Sequence, residues 1–289
     1  MTADNPFQPA TREQVKARIA LTGPAGSGKT FTALTLATHL ADKVAAVDTE
    51  RGRMREHATR FKFDHHAPAR FDPRDLIRHL AVAAEHGYGA IVIDSLSHYW
   101  IGEGGALEFV DSYEGKTGGK FQGGWKDFRP IENRMWSAIM AYPGHVIATM
   151  RVKTAYVIEN NKPVKVGLKP EQREGTDYEF SIVGEMDREH TLSITKSTCE
   201  ELVDARIPKP GQDLAEVIRT WCGAGVAMTS ALEYRDTAVD PATTHDELRE
   251  LHAEVKRRGL LGAALMDEHG DETTLGVLIV RLGQERKPS

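Results

Sequence analysis

Apolar residues recur along this chain with two different periods, and the two alternate. Short apolar runs bounded by charged or turn residues, at Ala17–Thr22, Val44–Asp48, Ala90–Asp94 and His145–Met150, predict buried strands. Between them, Thr30–Leu40, Pro73–Glu85 and Pro130–Met140 carry helical spacing, and in the second Leu76, Leu80, Ala83 and Ala84 share a face. Strand and helix in alternation from Val15 to about Pro210 predict an α/β core with a mostly parallel sheet flanked by helices. Tyr178–Val183 and Thr191–Thr195 read as an antiparallel pair that finishes the sheet.

Two connections in this core are long. Residues 113–127 are rich in glycine and read as too flexible to pack as a regular element. Residues 151–176 predict a hairpin, with Tyr156–Ile158 and Val164–Val166 on either side of Glu159-Asn160-Asn161-Lys162. Loops this long inside an α/β domain are usually functional or disordered. Residues 1–14, polar with Pro6 and Pro9, read as a flexible N-terminal segment ahead of a core at 15–210. After Lys209-Pro210-Gly211 only helical patterns remain, at 212–221, 225–237, 245–258 and 273–282, so 211–289 is expected to be a small helical C-terminal extension.

Composition narrows the partners. With 37 Lys+Arg against 42 Asp+Glu the net charge is −5, which excludes a uniformly basic nucleic-acid coat but allows local basic patches. Two cysteines, Cys199 and Cys222, are too few for a disulfide framework or a Cys-rich zinc site, and buried inert thiols are the expectation. No run approaches the ~20 apolar residues that span a bilayer, and the N-terminus lacks a signal-peptide layout. A cytoplasmic protein with no membrane partner is therefore expected.

The chemistry begins at Gly23-Pro24-Ala25-Gly26-Ser27-Gly28-Lys29-Thr30, a full G-x-x-x-x-G-K-[ST] match between a predicted strand and a predicted helix. Glycines let backbone N–H groups turn inward around phosphate oxygens, and the helix N-terminus adds its positive end. Lys29 reaches the β and γ phosphates, Thr30 offers its hydroxyl to Mg²⁺, and Phe31 stands beside them. A chance glycine-rich turn is the alternative, and the strand–loop–helix context argues against it. Ile91-Val92-Ile93-Asp94 supplies the second metal ligand, since three β-formers deliver Asp94 to the edge where α/β sheets bind ligands. Ser95 follows Asp94, so a water-activating carboxylate must come from elsewhere. Glu50, in Asp48-Thr49-Glu50 at the end of the next strand, is the candidate general base, with a solvated turn glutamate as the rival.

Together GPAGSGKT, VDTE and VIDSLSH resemble the RecA-like branch of P-loop ATPases. More narrowly, VIDSLSHYW, GGWKDFRP, GHVIATMRVKT and KVGLKPEQREGTDYEF, with Lys196–Cys199, resemble phage and prophage AAA-family ATPases related to single-strand annealing recombination ATPases. The resemblance covers about residues 15–205. It implies a RecA-like core that hydrolyses ATP with Mg²⁺, self-association into a ring or filament, contact with phage recombination or replication proteins, and handling of single-stranded DNA. In such cores two loops contact DNA, and here they are the two long ones. The first carries Lys116, Lys120, Phe121, Trp125 and Lys126; the second carries Arg151, Lys153, Lys162, Lys165, Lys169 and Arg173. Cations that track phosphates and rings that stack bases suit sequence-tolerant binding of a single strand. The alternative is solvated charges, with Phe121 and Trp125 packed inside. Arg151 and Lys153 also follow the strand His145–Met150, close to where a γ-phosphate sensor would sit. Lys153 or Arg173 is a candidate for the cation that hydrolysis in this superfamily often takes from a neighbouring subunit.

His57, Asp64, His65 and His66 could suggest a metal cluster, but their spacing favours surface histidines. Trp100 and Trp136 are expected in the core, and Lys256-Arg257-Arg258 at a solvated helix end, or in a DNA- or subunit-docking tail. Two other functions fit the same phosphate loop. One is a kinase or small-molecule phosphotransferase with 151–176 as its lid; the other is a non-catalytic protein whose assembly nucleotide gates.

Overall fold

The computed structural model describes residues 10–114, 119–159 and 162–287. The chain runs β1 (Arg18–Gly23), α1 (Lys29–Leu40), β2 (Val44–Asp48), β3 (Asp64–His66), α2 (Pro73–Glu85) and β4 (Ala90–Asp94). It continues through α3 (His98–Ile101), α4 (Ala106–Asp111), α5 (Gly119–Ala141), β5 (His145–Glu159), β6 (Lys162–Pro170), β7 (Ile182–Met186), β8 (Thr191–Ser197) and β9 (Arg206–Pro208). Last come α6 (Gln212–Gly223), α7 (Ala231–Val239), α8 (His245–Arg257), β10 (Ala264–Met266), β11 (Glu272–Thr274) and α9 (Leu275–Glu285).

Among the described residues, nine strands form one sheet in the order β3-β2-β4-β5-β1-β7-β8-β9, with β6 paired to β5. The run from β3 to β7 is parallel; β8, β9 and β6 are antiparallel to their neighbours. This is the α/β class expected of a P-loop NTPase core. The two-residue period of a strand sorts its side chains to opposite faces. Ile19 and Leu21 of β1 and Val92 of β4 pack on one side with Leu34 and Leu36 of α1. Ala20 of β1 and Ile91 and Ile93 of β4 pack on the other with Leu80 of α2 and Ile139 of α5. Burial on both faces is why these strands read as continuous apolar runs.

Several expectations need correction. The glycine-rich stretch is not an irregular loop throughout, because α5 starts at Gly119 and runs through Pro130 to Ala141. Its glycines serve packing: a Cβ on Gly124 would lie 3.1 Å from the Cα of Val110, so a small residue lets α4 and α5 close. The strand that begins at His145 extends nine residues beyond Met150 to Glu159 and pairs with β6, which realises the hairpin. Tyr178 sits in a short 3-10 turn, and β7 begins only at Ile182. Short β3, α3 and α4 have too few residues to show a period.

Beyond 211 the chain is not helix alone, since β10 and β11 form a hairpin. The helix expected over 225–237 begins at Ala231, where Ser230 and Glu233 make a reciprocal capping box. Leu214, Ala215 and Ile218 of α6 belong to the main core, whereas α7, α8 and α9 surround a separate cluster that includes Tyr234, Leu248, Leu278 and Leu282. The polar lead-in is tied down at its end: Gln14 N donates to Val226 O at 2.9 Å and Val15 N to Cys222 O at 3.0 Å. Among the described residues, no helix is long and apolar enough to cross a membrane.

Candidate functional site

The C-terminal ends of β1, β2 and β4 meet at one edge of the sheet, where β5 passes between β4 and β1, and each of the four strands delivers one component. Past β1, Gly26 (φ 78°) and Gly28 (φ 92°) take left-handed conformations that bend the loop around a concave face. Gly23 allows a close approach as well, because a Cβ there would stand 2.4 Å from Met186 O. Ser27 Oγ is buried in this loop without a hydrogen-bond partner among the described residues. Lys29 Nζ donates to Gly23 O and to Pro24 O, each at 2.8 Å, which holds the ammonium at the loop. Burial lowers its pKa, against the opposing pull of Asp94 and Glu50.

Thr30 Oγ1 donates to Asp94 Oδ2 at 2.5 Å, so the hydroxyl and carboxylate named for Mg²⁺ already touch. Thr149, on the strand between β4 and β1, donates to Asp94 Oδ1. Burial pushes the Asp94 carboxyl up, and the charges of Glu50 and Asp48 push the same way, while the two hydroxyl bonds oppose them. A buried acid crowded by two other acids beside a threonine hydroxyl suits a hard divalent cation, which takes oxygen ligands and relieves that repulsion. The residues present therefore fit Mg²⁺.

Glu50 faces the same cavity of about 490 Å³, together with Lys29, Thr30, Asp94 and Arg151. Its Oε1 accepts from Arg151 Nη2 at 2.8 Å and from Arg151 Nε at 2.9 Å. Oε2 has no donor among the described residues. Sequence reading thus brought the phosphate loop, Asp94 and Glu50 to one place and offered Arg151 both to DNA and to the γ phosphate, but missed its bond to Glu50. A larger cavity of about 890 Å³ flanks the phosphate loop on the α1 side, lined in part by Gly28, Phe31, Arg60, Phe61 and His190. Phe31 meets Phe61 edge-on at 5.2 Å, and the Arg60 guanidinium lies 4.6 Å over the Phe31 ring.

The remaining candidates lie elsewhere. Lys153 is exposed on β5, and Arg173 pairs within the chain to the buried Glu132 at 3.2 Å; neither lines the cavity that holds Glu50. Lys126 is exposed. Trp125 is half-buried and packs 5.4 Å from Trp100 and 6.0 Å from Phe128, in line with the packed alternative for this ring. Lys116, and the side chains of Lys120, Phe121, Lys162 and Lys165, lie outside the described residues. Lys153 stands directly opposite Lys169 in the β5–β6 register, and Lys169 Nζ is 3.9 Å from Glu174.

Sequence reading also left out Asp48 and misplaced His65. Asp48 is buried at the end of β2, and His65 Nε2 donates to its Oδ2 at 3.0 Å, so His65 is not a free surface histidine. Among the described residues, no group of three or more His, Cys, Asp or Glu is placed to hold a metal ion.

A family model described as an AAA domain matches residues 15–209, more than half of the chain and the whole of the site above. The chain belongs to the AAA-domain family. Membership of the AAA domain supports a nucleotide-binding P-loop ATPase, and the matched residues include Gly23–Thr30 and Asp94. No curated protein matches the chain.

Proposed function

We propose that this AAA-domain protein hydrolyses Mg-ATP and couples turnover to binding of single-stranded DNA through the β5–β6 hairpin. The observation that carries the hydrolysis reading is the position of Glu50, a carboxylate in the same cavity as Lys29, Thr30 and Asp94. The phosphates lie along the backbone N–H groups of 24–28, and Lys29 exchanges its two carbonyl partners for phosphate oxygens. Thr30 and Asp94 would hold Mg²⁺, which would supply positive charge to neutralise the phosphates. The Glu50 oxygen that Arg151 leaves open takes the proton of the attacking water as the bond from the γ phosphorus to the β–γ bridging oxygen breaks. The nucleobase enters the larger cavity beside Phe31, where aromatic rings and the Arg60 guanidinium supply stacking surface.

The cross-strand pair Lys153–Lys169 supports the DNA reading. Like charges directly opposite each other destabilise a sheet unless an anion shares them; Glu174 lies 3.9 Å from Lys169, and a DNA phosphate would add an anion to the pair. Arg151 precedes this pair by two residues on the same strand and bonds Glu50, so one strand joins the catalytic carboxylate to the cationic hairpin. A γ phosphate gives Arg151 a second anion to bind, and its transfer from Glu50 links nucleotide state to the hairpin. ATP turnover measured with and without single-stranded DNA, beside sizing with a non-hydrolysable ATP analogue, tests the proposal. Stimulation by DNA and growth in size with the analogue are the expected results. Turnover that responds only to a small-molecule acceptor would replace the proposal.

A further inference from the structure

Asp48 ends β2 in register with Asp94 of β4, so two buried carboxylates stand side by side at the ligand edge. A buried carboxylate needs donors. Asp48 finds three, none of them a lysine or arginine. Its Oδ1 accepts from Glu50 N at 2.7 Å, and its Oδ2 from Met54 N at 2.9 Å and His65 Nε2 at 3.0 Å. The two backbone donors flank a turn in which Arg51 (φ 61°) and Gly52 (φ 84°) are both left-handed. A non-glycine residue there is disfavoured and persists only where its surroundings fix it.

We infer that Asp48 and His65 are positioning residues for ATP hydrolysis, a clamp that closes the 49–54 turn and thereby aims Glu50. The inference rests on the reading of Glu50 as the water-activating base. β3 explains its own existence in these terms. It has only three residues, pairs His65 beside Ala46 of β2, and brings the imidazole to the Asp48 carboxylate. His65 Nδ1 accepts from Arg55 Nε at 3.3 Å, which leaves the proton on Nε2 for Asp48 and ties the short helix after the turn to the same ring. Glu50 therefore leaves a backbone held at its own N–H, and its side chain meets Arg151 across the cavity. Neither Asp48 nor His65 lines that cavity, so changes at either act on it through the turn, which contributes Glu50, Arg53 and Met54 to its wall.

The test compares His65→Leu, His65→Gln and Asp48→Asn with wild type in kcat, KM, affinity for a fluorescent ATP analogue, and the rate of trypsin cleavage after Arg51 and Arg53. A misaimed base costs rate and not ground-state binding, so His65→Leu and Asp48→Asn are expected to lower kcat about tenfold or more, with affinity and KM nearly unchanged. Trypsin should cut the loosened turn faster. His65→Gln, whose amide N–H can reach the same carboxylate, should restore most of both properties. A folded His65→Leu protein with wild-type kcat and wild-type cleavage overturns the clamp, as does a loss of rate that glutamine does not rescue. Glu50→Gln serves as the control for the underlying reading. If it retains full activity the base lies elsewhere, and the cleavage rates alone then decide whether Asp48 and His65 hold the turn.

Discussion

Arg151 places both Nε and Nη2 within 2.9 Å of a single oxygen of Glu50, across 101 positions of sequence. The side chain that would activate water is thus tethered to the strand that continues into the hairpin. Glu50→Gln should bind ATP normally and hydrolyse it about 100-fold more slowly, because a positioned base contributes at least that much. Arg151→Ala should also lower kcat, by about tenfold or more, through lost stabilisation of developing phosphate charge. Steady-state ATPase assays check both, and near-normal rates would move the base to another residue.

Lys29→Ala should reduce ATP affinity by about 10- to 100-fold, the range for a lost hydrogen bond to a charged group. Titration with a fluorescent ATP analogue reads this directly. Unchanged affinity would show that the ammonium bonded to Gly23 O and Pro24 O does not serve the phosphates.

Reversal of both charges in the opposed pair, with Lys153→Glu and Lys169→Glu, should weaken binding of single-stranded DNA. It should also flatten the plot of log K against log salt by about 1.4, at roughly 0.7 for each DNA phosphate that the protein no longer neutralises. Filter binding across a salt series measures the slope. Binding indifferent to both changes would remove the hairpin from the interface.

Acid should weaken the fold through His145. Its Nδ1 accepts the Ala17 N–H at 3.0 Å, and burial lowers its pKa from 6.5 to about 4. The folded protein keeps the ring neutral while the unfolded chain binds a proton. Stability from this residue is therefore complete above pH 6.5 and lost as pH falls towards 4, with no further loss below. His79 behaves alike, also lowered to about 4 by burial. Urea midpoints between pH 7.5 and 4.5 should fall, and His145→Asn, which can still accept from Ala17, should flatten the curve.

Gly124→Leu should cost about 1–3 kcal/mol, because the added side chain meets the Val110 backbone and forces α4 from α5. Thermal melts would show the loss. An unaltered melting temperature would mean that α4 moves freely to make room.

The parts of the site legible in sequence are those whose chemistry is local. Gly23–Thr30 carries its own strand, turn and helix signals, and Ile91–Asp94 is a β-run that ends in an acid, so both could be placed before the fold was known. Glu50 was legible as a carboxylate at a strand end; its bond to Arg151 was not, because strand order decides which ends are neighbours. Thr149 reaches Asp94 for the same reason, since β5 lies between the strand of the phosphate loop and that of the acid. His65 was illegible because three polar residues have no strand signature, and its partner lies 17 positions away. The glycines before Pro130 misled because propensity favours a loop, while packing against Val110 favours a helix. Arg173 read as a free cation, yet the buried Glu132 on α5 already holds it.

β5 has fifteen residues from His145 to Glu159, with a register shift against β6 between Ala155 and Tyr156. At ~3.3 Å per residue it spans about 50 Å, of which roughly 26 Å lies beyond Arg151. If that ~26 Å arm stayed straight through its register shift, a tilt of about 5° at Arg151 would move its far end by about 2 Å.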